Sequence, residues 1–187
     1  PTLVNGVATY WWELFKAVPL LDVAYVPIGL GSGACAAIAA KLALGHRARI
    51  VGVVSTGATT YAQSIRAGHV VPSPVTTVLA DGMAVRVADA DALALLKKHL
   101  DHIVQVSDAE VAQAMRDIYT DTHNVAEGAG AAAYAAAPDG LVAAVRAAAD
   151  GRRRVPRRAR VLARPRRWSS QRVRVLAAVV LAAQPRR

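Results

Sequence analysis

Cysteine is almost absent. Cys35 stands alone among 187 residues, which excludes an intrachain disulfide framework and fits a reducing compartment, so a cytoplasmic location is expected. Long apolar runs are missing too. The longest late one, Val175 to Ala183, is nine residues, far short of the ~20 that cross a bilayer, and no membrane partner is expected. The start lacks a secretory signal pattern. It also lacks a methionine, as a processed, trimmed or incomplete product would. Acids are missing from the C-terminal end. Residues 1–150 hold all 13 of them against ten lysines and arginines, whereas residues 151–187 hold 13 arginines and neither acid nor lysine. The formal charge of +10 therefore belongs to the tail alone.

What is present in residues 1–150 reads as one α/β domain. Thr9 to Ala17 is a predicted helix with Trp11, Leu14 and Phe15 on one side. Ala24 to Ile28 is a buried strand, Ala34 to Leu44 a helix stopped by Gly45, and Arg49 to Val54 a second strand. Ala58 to Ala67 is a helix closed by Gly68. This alternation is a βαβ signature and implies parallel pairing. Val70 to Thr77 reads as a loop, Asp89 to Leu100 as a helix and Ile103 to Val106 as a strand. Ser107 and Glu110 form a capping box. The i, i+3, i+4, i+7 stripe of Val111, Ala114, Met115 and Ile118 makes the following segment an amphipathic helix. Gly128 to Ala137 and Leu141 to Ala149 complete the helices. After Asp150 the character changes, and Gly151 to Arg160 has no helical or strand period. It reads as a solvated or disordered tail, as GC-rich DNA translated out of frame, or as an arm for nucleic-acid phosphates. Only Trp168 could stack on a base there, so no nucleic-acid partner is expected.

The richest stretch is Gly29-Leu-Gly-Ser-Gly33, between the first strand and its helix. Glycines at alternate positions bare backbone N–H groups, and a helix N-terminus adds unpaired donors and the positive end of its dipole, a combination suited to an anion. The stretch also satisfies the dinucleotide pattern G-x-G-x-x-G/A. That pattern wants an acid at the end of the next strand, where Val53-Val-Ser-Thr56 stands instead. The Gly-Lys-Ser/Thr ending of a triphosphate loop is missing as well. A monophosphate is the simplest guest, and a tight turn without ligand is the bland alternative. Cys35 reads as a small buried side chain, Asp81 as a turn former, and His123 as a substrate contact or a helix-end histidine. His46, His69, His99 and His102 lack metal-ligand spacing.

Five motifs, in this order, carry a resemblance: Val26-Pro-Ile-Gly-Leu-Gly-Ser-Gly33, Ile50-Val-Gly-Val53, Ala80-Asp-Gly-Met-Ala-Val85, Ile103-Val-Gln-Val106 and Ala126-Glu-Gly-Ala-Gly-Ala131. Over residues 5–150 the chain resembles threonine/serine dehydratase-like enzymes of fold-type II, which use pyridoxal phosphate. Val54-Ser-Thr56 and Asp121-Thr-His-Asn-Val-Ala-Glu127 look most like the branch called hydroxyectoine utilisation dehydratase. The resemblance implies an α/β, three-layer, parallel-sheet large domain of the tryptophan synthase β-like type, here incomplete: residues 1–150 would be the C-terminal part of the cofactor domain and 151–187 a separate tail. It implies pyridoxal 5′-phosphate as cofactor, gripped by Gly29, Leu30, Gly31, Ser32 and Gly33, with Glu127 approaching it. It further implies a small hydroxy-amino-acid substrate, a homo-oligomer, and β-elimination to a 2-oxoacid and ammonia, with a lysine as anchor and base.

Several departures accompany the resemblance. The family's Schiff-base lysine lies upstream of the glycine loop in a Ser-x-Lys context, and Lys16, Lys41, Lys97 and Lys98 all lack it. The Ser-Gly-Gly-Asn strand expected after the last helix is also missing. Gly151 to Val155 starts it plausibly before Pro156 and the arginines, as a frameshift near residue 155 would produce. Val54 and Thr60 replace the acidic pair of the metal-binding racemase branch, so no metal is expected. The chain alone is therefore expected to be inactive. The competing reading is a non-catalytic phosphate- or dinucleotide-binding βαβ module.

Overall fold

The computed structural model describes residues 2–137 and 175–177. Its elements are α1 (Thr2–Ala17), β1 (Val23–Pro27), α2 (Ser32–Leu44), β2 (Arg49–Ser55), α3 (Thr60–Ala67), a 3-10 turn (Asp81–Met83), α4 (Ala90–His99), β3 (Ile103–Val106), α5 (Asp108–Thr122), α6 (Gly128–Ala135) and β4 (Val175–Ala177). The strands form one parallel sheet in the order β3-β2-β1-β4. Among the described residues, no helix is long and apolar enough to cross a membrane.

Val23 to Val26 of β1 and Ile50 to Ser55 of β2 are buried without interruption, as strands covered on both faces must be. On one face, α2 packs on β1 and β2, with α1 against it, α4 beside it and α3 against α4. That core joins Trp11, Phe15, Ile38, Ile50, Tyr61 and Leu96. On the other face lie α5 and α6, with Val51, Val53, Val111, Ile118 and Ala131 to Ala133 in a second core. The expected three-layer α/β architecture is therefore present.

Ser107 and Glu110 form the expected capping box, each reaching the other's backbone N–H, and β3 has its predicted bounds. Most other bounds move by one or two residues, as element ends do. The larger correction is α1, which starts at Thr2 rather than Thr9. Its apolar stripe of Val4, Val7, Ala8 and Trp11 continues through Gly6 onto α2. Tertiary packing there outweighs the ~1 kcal/mol that a helical glycine costs. Val175–Ala177 forms β4, an apolar β-prone triplet lying along the open side of β1. The predicted helix at Leu141 to Ala149 and the strand from Gly151 lie outside the described residues.

His46 fastens α1 to the sheet. Its ring stacks on Phe15 at 4.5 Å. Nδ1 accepts from the Ala48 amide at 3.1 Å, which leaves Nε2–H to donate to the Val18 carbonyl at 3.2 Å.

Candidate functional site

The glycine loop emerges from the carboxyl end of β1, where ligands of open parallel sheets gather. The Ile28 amide still pairs with the Val53 carbonyl at 2.8 Å, and the chain then leaves the sheet. The first bond of α2 runs from the Cys35 amide to the Gly31 carbonyl at 2.9 Å. Among the described residues, no carbonyl accepts from the amides of Gly29, Leu30, Gly31, Ser32, Gly33 or Ala34. Six consecutive N–H groups at a helix start are thus uncommitted, an arrangement that favours an anion.

The three glycines are required for different reasons. Gly31 has φ +104°, a left-handed conformation, and a Cβ there would press on Ala92 and on the Tyr61 hydroxyl. A Cβ on Gly29 would overlap the Gly82 carbonyl oxygen. Gly33 meets no such obstacle. The nearest atom to a Cβ there is the Tyr10 hydroxyl at 4.0 Å, so packing does not demand a glycine. Its missing side chain leaves space over the free amides. Leu30 between them is exposed and Ser32 half-buried.

Two supports hold this loop, and no sequence motif announces either. Tyr61 of α3, 1% exposed, donates its hydroxyl to the Leu30 carbonyl at 2.6 Å and accepts from the Asp89 amide at 3.2 Å. Burial pushes its phenol up to about 12. On the other side stands the segment 77–84, which delivers Gly82 against Gly29. Asp108, at the first turn of α5, accepts from the Thr77 hydroxyl, from the Val78 amide at 2.8 Å and from the Leu79 amide at 3.4 Å. The Thr77 and Val78 hydrogen bonds hold its carboxyl below the ordinary carboxylate range. The same segment bears on α6, because a Cβ on Gly128 would overlap the Leu79 carbonyl.

Asp108→Asn removes one acceptor oxygen from this clamp. At pH 7 it should lower stability by on the order of 1 kcal/mol at most, since the group is partly solvated. A folded pKa below the unfolded one stabilises above the unfolded value and is lost as pH falls through the folded value. The deficit should therefore be full above pH about 4 and shrink in stronger acid, as read by urea unfolding at several pH values.

Glu127 caps α6: its two carboxylate oxygens accept from the Ala129 amide at 2.9 Å and the Gly130 amide at 2.7 Å. The structure nevertheless brings it to the glycine loop's side. A Cβ on Gly82 would lie 3.8 Å from Glu127 Oε2, and Gly82 abuts Gly29. Asp81 accepts from the Gly82 amide at 2.9 Å, as a turn former does. His123 ends α5 with φ 55° and is exposed. Cys35 is 5% exposed, and burial, with the charge of Asp89 adding, pushes its thiol up. Val54 lies in the core and Thr60 donates to the Val71 carbonyl at 2.8 Å. No lysine reaches the loop. Lys16 Nζ stands 5.6 Å from the Trp12 ring, Lys41 lies in the last turn of α2, and Lys97 and Lys98 lie in the last turn of α4.

Known proteins share this fold. The family model described as pyridoxal-phosphate dependent enzyme matches residues 1–155. An L-threonine ammonia-lyase of Geobacter sulfurreducens is 34% identical over 137 residues, which are 73% of this chain and 34% of that protein. A putative threonine dehydratase of Sinorhizobium fredii is 34% identical over 146 residues, 77% of this chain and 44% of that protein. This chain thus spans less than half the length of either relative. Among solved structures, maize serine racemase superposes with a TM-score of 0.68 at 28% identity, covering 74% of this chain and 44% of that one. The processed form of threonine deaminase isoform 2 from Solanum lycopersicum reaches 0.73, covering 97% of this chain and 46% of that one, and at 20% identity shows the fold alone. With a parallel three-layer sheet, a bare-amide loop at its carboxyl end and a family match over most of its length, the chain belongs to the pyridoxal-phosphate dependent enzymes.

Proposed function

We propose that residues 1–150 hold pyridoxal 5′-phosphate by its phosphate, as part of a lyase that carries out β-elimination on a small hydroxy-amino acid. The observation that carries this reading is the run of uncommitted amides from Gly29 to Ala34, left open at Gly33. A phosphate fits it. The N–H groups of Gly29, Leu30, Gly31, Ser32 and Gly33 are the donors, the start of α2 adds favourable charge, and the Ser32 hydroxyl is within the same turn. When bound, the cofactor supplies an electron-accepting ring that eases departure of the α-proton and β-hydroxyl. The chain's own residues bind and orient. Glu127 spends both oxygens on the start of α6 and fixes that helix beside Gly82. The four lysines stand elsewhere, so these 187 residues bind without eliminating. The threonine ammonia-lyase and dehydratase relatives support a threonine- or serine-like substrate.

Thermal unfolding tests this. Pyridoxine 5′-phosphate carries the phosphate but no aldehyde to react with surface lysines, and it should raise the midpoint, whereas pyridoxine should not. Protection by NAD without protection by the phosphate ester would overturn the reading in favour of a dinucleotide module.

A further inference from the structure

We infer that Tyr61 is a positioning residue of the phosphate loop: its hydroxyl draws the Leu30 carbonyl away from the ligand side, so that N–H groups alone face the anion. This rests on the phosphate reading of the site and adds the residue that sets its polarity. The direction of the bond is fixed by its neighbour. The Asp89 amide donates to the Tyr61 oxygen at 3.2 Å, so the hydroxyl proton is left for Leu30, 2.6 Å away. The oxygen also sits beneath Gly31, 3.0 Å from where its Cβ would be. Gly31 turns the chain through φ +104° just after the Leu30 peptide. The anchor itself is stiff. Tyr61 is 1% exposed, in the core that joins α1, α2 and α4, and Asp89 in turn caps α4 by accepting from the Ala92 amide at 2.8 Å. The tie thus spans from the start of α4 to the tip of the loop.

A carbonyl turned toward a phosphate oxygen repels it, and a freed Leu30 peptide can rotate that way. Tyr61→Phe keeps the ring and removes the tie. Its expected effect is a loss of about three- to tenfold in affinity for pyridoxine 5′-phosphate, with the weak affinity for pyridoxine unchanged. Tyr61→Met is the second variant, also without a hydroxyl and flexible enough to fill the buried space. Thr60→Val is the control. It removes another buried hydrogen bond of α3, to the Val71 carbonyl at 2.8 Å, without touching the loop. It should lower thermal stability to a similar degree and leave the preference for the phosphate ester intact. Equilibrium dialysis of both ligands against the full chain reads this. If the unaltered chain prefers the ester and both Tyr61 variants retain the full preference, or if Thr60→Val loses it equally, the positioning role is overturned and the site reading stands. If the unaltered chain shows no preference, both fall.

Discussion

Gly29→Ala is expected to destabilise the fold by about 1–3 kcal/mol and to abolish protection by a phosphate ester. The added methyl would overlap the Gly82 carbonyl oxygen. That oxygen is backbone, in the 3-10 turn Asp81–Met83, and cannot swing aside as a side chain could. The turn is itself confined. Asp108 holds Thr77 and Val78 on one side, and the Leu79 carbonyl bears on Gly128 on the other. The loop must therefore move instead, and its amides lose their common focus. Urea unfolding checks the first effect and ligand-induced midpoint shifts the second. A variant as stable as the parent would mean that the approach of Gly82 to Gly29 does not constrain the loop.

Gly33→Leu should produce the opposite pairing of effects. A Cβ at this position meets only the Tyr10 hydroxyl within 4 Å, at 4.0 Å, and glycine is a poor helix former inside α2. Stability is expected to stay level or rise by roughly 0.5–1 kcal/mol. The leucine would occupy the space over the free amides, so affinity for pyridoxine 5′-phosphate should fall by more than about tenfold. Dialysis and thermal unfolding on one preparation read both. Undiminished binding in a well-folded Gly33→Leu protein would place the phosphate elsewhere.

These two glycines also show how far the sequence was readable. Their spacing pointed to a loop of bare amides between strand and helix, because missing side chains and a helix start are local features. It did not separate Gly29, which is bare for packing, from Gly33, which is bare toward open space. That difference depends on Gly82 and Tyr10, distant in the chain. Strand–helix alternation and the Ser107–Glu110 box were legible for the same local reason. The start of α1 was not, since Gly6 is helical only because the stripe around it packs on α2. Tyr61 and Asp108 were invisible as site supports. Each acts across 31 residues, and neither belongs to a spacing pattern. For Glu127 the sequence allowed both a helix cap and an approach to the site. The structure shows the cap in full and the carboxylate on the loop's side.

The central claim is that the amides of residues 29–34 receive the phosphate. Amide proton–nitrogen NMR spectra of the full chain, titrated with pyridoxine 5′-phosphate and separately with pyridoxine, test it most directly. The expected result is downfield displacement of the Gly29, Gly31, Ser32 and Gly33 amide protons with the ester alone, saturating with its binding curve. Saturable binding of the ester that leaves those four signals in place would contradict it.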